Sequence, residues 1–100
     1  MNAETTQGES AVPALTLLVT GDAPRSRRAR ANLAEALKTL DRKAIQPLEI
    51  DLLAHPEQSV SLSVFATPAL LRTGQDGGIS VLYGDLSDER KLLAFLGDIG

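Results

Sequence analysis

The stretch Val64-Phe65-Ala66-Thr67-Pro68-Ala69-Leu70-Leu71 is an apolar run interrupted by one Thr-Pro step. Pro68 has no backbone N–H, so it can open a strand or lie on an edge but cannot sit inside a hydrogen-bonded ladder. Its ring also pushes Thr67 away from helical geometry towards extended backbone. The stretch therefore reads as a loop that delivers the chain abruptly into a buried strand running through Arg72. Thr67–Pro68 is the candidate cis peptide bond, since cis bonds are essentially confined to X–Pro steps. A second stretch, Leu15 to Thr20 followed by Gly21, has the same strand-then-turn logic and is expected to pair beside it. Its almost unbroken apolar character suits a strand covered on both faces.

Working outward, Gly21-Asp22-Ala23-Pro24 forms a turn, with Pro24 opening a helix and Asp22 or Ser26 expected to cap it. From Arg25 to about Leu40, the residues Ala29, Leu33, Ala36, Leu37 and Leu40 recur at three- and four-residue spacing, one apolar stripe of an amphipathic helix. Asp41-Arg42-Lys43 ends it. Ala44 to Leu53 predicts a second strand, and Pro47 puts the start of that strand on an edge. His55-Pro56 is a break, and Glu57 to Val64, with three serines, reads as a weak short helix or a mobile segment. Beyond the central strand, Thr73 to Gly78 supplies hairpin chemistry (Asp76-Gly77-Gly78), and Ile79 to Tyr83 alternates as the return strand. Gly84-Asp85-Leu86 turns the chain. Ser87 is expected to cap a last helix whose first turn holds Asp88 and Glu89, with Leu92, Leu93 and Leu96 buried and Phe95 flanking them. The order β-α-β-α-β-β-α, a parallel crossover followed by a hairpin and a covering helix, predicts an α/β domain of thioredoxin-like type. Residues 1–14 are polar and aperiodic, a disordered leader on this reading, leaving 15–100 as the domain.

One hundred residues suffice for one small domain, which often gains stability by oligomerising. The chain has no cysteine, so disulfides, thiol redox chemistry and thiolate metal sites are excluded. Aromatic residues make up 3% of the chain, too few for a base-stacking platform, and nucleic acid is not the expected partner. No apolar run reaches the length of a membrane span and no secretory signal is apparent, so no membrane partner is expected and the cytoplasm is the expected location. The net charge is −3 but unevenly placed: residues 25–43 carry +5 and the remainder −8. Such segregation suits docking between oppositely charged protein surfaces.

No catalytic constellation emerges. His55 is a lone imidazole beside a proline and a poor metal site. Asp51 ends a strand where catalytic carboxylates often sit, but no nucleophile–base pair surrounds it. Asp85 reads as a turn or capping residue, and Gly77-Gly78 lacks the strand-to-helix setting and lysine of a phosphate loop. The Arg25, Arg27, Arg28 and Arg30 cluster is the candidate partner-binding face. Cations at a helix N-terminus oppose its dipole by a few tenths of a kcal/mol each, which hints at another use.

The Thr-Pro strand opening and the turn after the first strand resemble thioredoxin, without its sulfurs. A closer resemblance is to the KaiB family of bacterial circadian-clock proteins, from about Leu15 to Leu96. It is carried by Leu17-Leu18-Val19-Thr20-Gly21, Pro24, Ser26 and Ala29, by Ile50-Asp51-Leu52-Leu53 with Pro56, and by Ala66-Thr67-Pro68-Ala69-Leu70 and Gly84-Asp85-Leu86-Ser87-Asp88. The resemblance implies a non-enzymatic, cofactor-free protein that docks on the ATPase ring of KaiC, with KaiA-like or SasA-like proteins as further partners. It also implies a homo-oligomer (dimer or tetramer) in one of two states, whose second fold rearranges the C-terminal half near Gly84 and Asp85. Reading Ser87 to Leu96 as helix favours the thioredoxin-like state, and Phe95, where many members place glycine, is the better helix residue. The alternative function is a self-associating adaptor of the same fold with no KaiC partner. Three departures mark the chain as divergent: Leu18 replaces a tyrosine, Ser59 to Val64 replaces a charged stretch, and Thr73 to Tyr83 carries an insertion and no arginine.

Overall fold

A computed structural model describes residues 14–42, 44–62, 64, 66–74 and 76–97. The elements are β1 (Leu15–Val19), α1 (Pro24–Thr39), β2 (Leu48–Asp51), α2 (Glu57–Ser61), β3 (Ala69–Thr73), β4 (Ile79–Tyr83) and α3 (Glu89–Leu96). They form one four-stranded sheet in the order β2-β1-β3-β4. β1 and β2 are parallel, with Leu18 opposite Ile50. β3 runs antiparallel to β1, with Leu17 opposite Leu70, and antiparallel to β4, with Leu71 opposite Val81. This is the mixed α/β, thioredoxin-like arrangement read from the sequence. The leader at 1–14 lies outside the described residues except for Ala14, whose carbonyl accepts the Thr73 N–H.

Successive residues point to opposite faces, so strands covered on both sides, β1 and the first three residues of β3, are mostly apolar. Leu15, Leu17, Val19 and Leu70 face one side, where they pack with Ala29, Leu33, Ala36 and Leu37 of α1 and with Leu92 and Leu96 of α3. Leu18, Ala69 and Leu71 face the other, joined by Val64 and by the half-buried Ile50, Leu52, Leu62 and Val81. Long helices cover the first side. Among the described residues the second is covered by Leu62 and Val64, which follow the five-residue α2, itself without a buried side chain.

Strand and helix ends differ from the sequence reading in ways that have local causes. The second strand spans Leu48–Asp51 rather than 44–53, because Ile45 is tied back in a turn by its N–H to the Arg42 carbonyl and Pro47 has no donor for a ladder. The short helix stops at Ser61, short of Val64. α1 has Pro24 in its first turn as expected, but its N-cap is Ala23 and no side chain caps it, so the capping expected of Asp22 or Ser26 does not occur. Ser26 instead accepts the Thr20 N–H (3.0 Å), and Asp22 turns towards Arg30. The helix ends in a Schellman arrangement: Asp41, at φ 58°, donates to the Lys38 carbonyl, and Arg42 donates to the Leu37 carbonyl. α3 is capped by Asp88, whose carboxylate accepts the Lys91 N–H, and not by Ser87. Its far end is held by Arg72 of β3, whose guanidinium donates to the Phe95 and Leu96 carbonyls at 2.9 and 2.8 Å.

The turn between β4 and α3 is fastened to α1. Asp85 accepts from the Arg28 guanidinium at 3.0 Å and from the Ser87 N–H, while Asn32 donates to the Asp85 carbonyl. Leu86 adopts φ 64°, a conformation that costs a non-glycine residue about 1–3 kcal/mol. Burial of its side chain (5% exposed) against α1 and α3 offsets that cost. The Ser87 hydroxyl, followed by the Arg28 guanidinium, lowers the Asp85 carboxyl from an ordinary 3.8 to about 2. A depressed carboxyl adds stability above its unfolded-state value, and that contribution is lost as pH falls through its folded value. Acid unfolding should therefore steepen between about pH 4 and pH 2 in the native protein, and Asp85→Asn should flatten that part of the curve. Circular dichroism across a pH series measures this, and identical curves would show that the carboxylate does not contribute.

Candidate partner-binding site

At one end of the sheet the parallel strands β1 and β2 finish, β3 begins and α1 starts, the crevice where open α/β sheets place ligands. The loop after β1 is built by polar contacts. Gly21, at φ 53°, donates its N–H to Asp51 Oδ1 (2.9 Å), which also accepts the Leu53 N–H (2.9 Å). These two backbone donors, Gly21 first, hold the Asp51 carboxyl below its usual range. A Cβ at Gly21 would meet the Leu53 side chain at 2.9 Å, so the turn needs glycine for space as well as for φ. The Gly21 carbonyl accepts from the Arg30 guanidinium (2.9 Å).

Thr67 and Pro68 face this loop. Their peptide bond is cis, Pro68 is buried, and the Thr67 hydroxyl is hydrogen-bonded to that of Thr20. Where thioredoxin-like redox proteins would hold sulfur, the groups present are two threonine hydroxyls and the buried Ser26, which accepts from the Thr20 amide. Among the described residues none of them is hydrogen-bonded to an imidazole or a carboxylate. His55 sits away from them, its Nδ1 3.7 Å from Glu57 and largely exposed. Among the described residues no group of three or more potential metal ligands assembles.

The four arginines singled out in the sequence do not act as one cluster. Arg28 is paired with Asp85 at 3.0 Å. Arg30 is paired with Glu49 at 2.9 Å and lies 3.6 Å from Asp22; the hydrogen bond to Glu49 is the main cause that raises its pKa. Arg25 and Arg27 are exposed and, among the described residues, form no ion pair. Gly84, at φ 111°, and Asp85 approach the same end of α1: a Cβ on Gly84 would lie 3.9 Å from the Arg25 guanidinium. The fold thus brings Arg25, Arg28, Gly84 and Asp85 together, and sets Arg30 to holding the Gly21 loop.

Two features of this end escaped the sequence reading. Leu53 is 69% exposed beside Gly21, an apolar group held out to solvent by the Asp51 turn. The commitment of Arg28 depends on a residue 57 positions away, so no local pattern announces it. The outcome is two exposed cations, Arg25 and Arg27, that form no ion pair among the described residues, and a protruding Leu53 beside the Gly21 loop.

No family profile matches the chain. It is similar to the circadian clock oscillator protein KaiB of Prochlorococcus marinus, 36% identical over 80 residues that make up 79% of this chain and 67% of that protein. That extent and identity agree with the thioredoxin-like sheet order, the Thr67-Pro68 strand opening and the Gly84-Asp85-Leu86 turn. The chain belongs to the KaiB family, as a divergent member.

Proposed function

We propose that this protein is a non-enzymatic regulator in a circadian-clock or clock-derived timing system, and that it docks on a KaiC-type ATPase, with KaiA-like or SasA-like proteins as further partners. The observation that carries the reading is that Arg25 and Arg27, in the first turn of α1, are exposed and form no ion pair among the described residues, while Leu53 is exposed beside Gly21 at the end of the same thioredoxin-like sheet. The similarity to a clock oscillator protein supports the clock assignment. Docking needs no cofactor, and the setting is the cytoplasm. No described helix is long and apolar enough to cross a membrane, in keeping with a soluble partner. The turn at Gly84-Asp85-Leu86 is our assignment for the point where a second fold of the C-terminal half would diverge, because Leu86 sits there in a costly conformation offset by its packing and by the contacts of Asp85 with α1.

The test is gel filtration of the protein with the cognate KaiC-type ATPase, in ATP and in ADP. A complex is expected, weakening as salt is raised. The double reversal Arg25→Glu, Arg27→Glu should weaken it by about tenfold or more, mostly through slower association, while leaving the Arg28–Asp85 and Arg30–Glu49 pairs and the melting temperature intact. Absence of a complex in every nucleotide and phosphorylation state would end the proposal.

A second reading, self-association as an adaptor, is favoured by the sheet face under α2. Alternation places Thr16, Leu18, Leu48, Ile50, Ala69, Leu71, Ile79, Val81 and Tyr83 on it, with no charged side chain. Leu48, Ile79 and Tyr83 are 46, 55 and 43% exposed there. A two-fold contact presses the same patch of both copies together, so an uncharged face is where two copies of this unevenly charged chain can meet without like-charge opposition. Sedimentation over a dilution series should show a dimer or tetramer that Leu48→Glu with Ile79→Glu converts to monomer. An unaltered distribution would exclude this face.

A further inference from the structure

The sheet has two edges, and they differ in kind. β2 presents Glu49 and Asp51 and is preceded by Pro47, features that blunt an edge against further pairing. β4, Ile79-Ser80-Val81-Leu82-Tyr83, has no charge and no proline, and its register with β3 runs without a bulge. An unprotected edge of this kind is a template for another strand.

The direction of its backbone groups follows from the two ends of the β3–β4 ladder. The Gly84 N–H donates to the Pro68 carbonyl (2.9 Å), and the Gly74 N–H donates to the Gly78 carbonyl (2.8 Å). Hydrogen-bonded pairs alternate along an antiparallel ladder, so Ser80 and Leu82 turn their N–H and C=O towards β3. Ile79, Val81 and Tyr83 turn theirs outward, where no further strand lies among the described residues. The side chains of these three share the α2 side of the sheet, with Ile79 55% and Tyr83 43% exposed.

These positions are self-complementary. In an antiparallel approach with the two-fold axis at Val81, Val81 meets its own copy and Ile79 of each chain meets Tyr83 of the other. The outward N–H and C=O groups are then matched, and each isoleucine lies against an aromatic ring, a stabilising cross-strand pair. A two-fold contact presses like charges together, and β4 has none. We propose that β4 pairs with β4 of a second copy of this chain, joining two four-stranded sheets into one centred on Val81. Five residues a side make a small seam beside the roughly 1,600 Å² of a standard interface, so the dimer dissociates on dilution. The pairing uses the strand edge and not the face around Leu48, so it holds or fails apart from that contact and from docking on an ATPase.

The test is sedimentation of the full-length protein over a dilution series, with circular dichroism as the check on folding. A monomer–dimer equilibrium is expected. Val81→Pro removes an N–H that points away from β3, a change an edge strand accepts, and should weaken the dimer about tenfold or more in a folded protein. Leu48→Glu, on the opposite edge strand, should leave the dimer as it is. The chain has no cysteine, so Val81→Cys reports the seam without background. Hydrogen-bonded cross-strand residues lie about 5.5 Å apart at Cα, within disulfide reach, and mild oxidation should give a covalent dimer. Leu48→Cys should give none. A monomer at every concentration, its edge open only to strands of other proteins, would overturn the proposal. So would a dimer lost in Leu48→Glu, an undiminished dimer of folded Val81→Pro, or a Val81→Cys protein that cross-links no faster than Leu48→Cys.

Discussion

The antiparallel pairing of β1 with β3 is the constraint on which the rest of the molecule depends. It sets Leu17 opposite Leu70 and Leu18 opposite Ala69, four residues with at most 2% exposure. Because neighbouring residues in a strand point to opposite faces, this single register supplies both apolar layers at once. A slip by one position would exchange the two layers along β3, bringing Leu70 to the side of Leu18 and sending Ala69 and Leu71 under α1 and α3. Packing of α1 and α3 on Leu17 and Leu70, and of Val64 on Leu18 and Ala69, therefore follows from that one alignment.

The same register positions the Gly21 loop and the Thr67-Pro68 step. With β3 starting at Ala69 opposite Leu18, Thr67 falls beside Thr20, and Pro68 closes the start of the strand next to the Gly21 loop. Asp51, at the end of β2, is then in place to accept the Gly21 and Leu53 amides. Arg30 holds the loop from the helix side. These contacts engage the polar groups near the loop, while Arg25, Arg27 and Leu53 stay exposed. In this chain the hydroxyls and amides at that end are engaged with each other, and cysteine is absent from the sequence.

The edge strands carry the remaining distinctive physics. β2 alternates so that its apolar residues face the thin α2 side and its acids face α1. The outcome is an uncharged, partly exposed face on one side and a pair of acids on the other. Both follow from four residues, Leu48-Glu49-Ile50-Asp51, on the edge of the sheet, where covering is least complete.

The element order, the apolar stripes and the punctuation by Pro24, Pro47, Pro68 and the Asp76-Gly77-Gly78 turn are local properties, written in periodicity and backbone chemistry, and the amino-acid sequence alone determined them. It likewise settled the absence of thiol chemistry and the concentration of positive charge in α1. Which residues cap the helices was decided by the fold: Ser26 was taken by the Thr20 amide across the loop, and Asp88, one residue past the expected Ser87, had the extended backbone an N-cap requires. The fate of the arginines was decided there too, because Asp85 and Glu49 reach Arg28 and Arg30 only after strands distant in sequence are brought side by side. Charge pairing at such separation depends on three-dimensional proximity, which short-range sequence patterns do not encode.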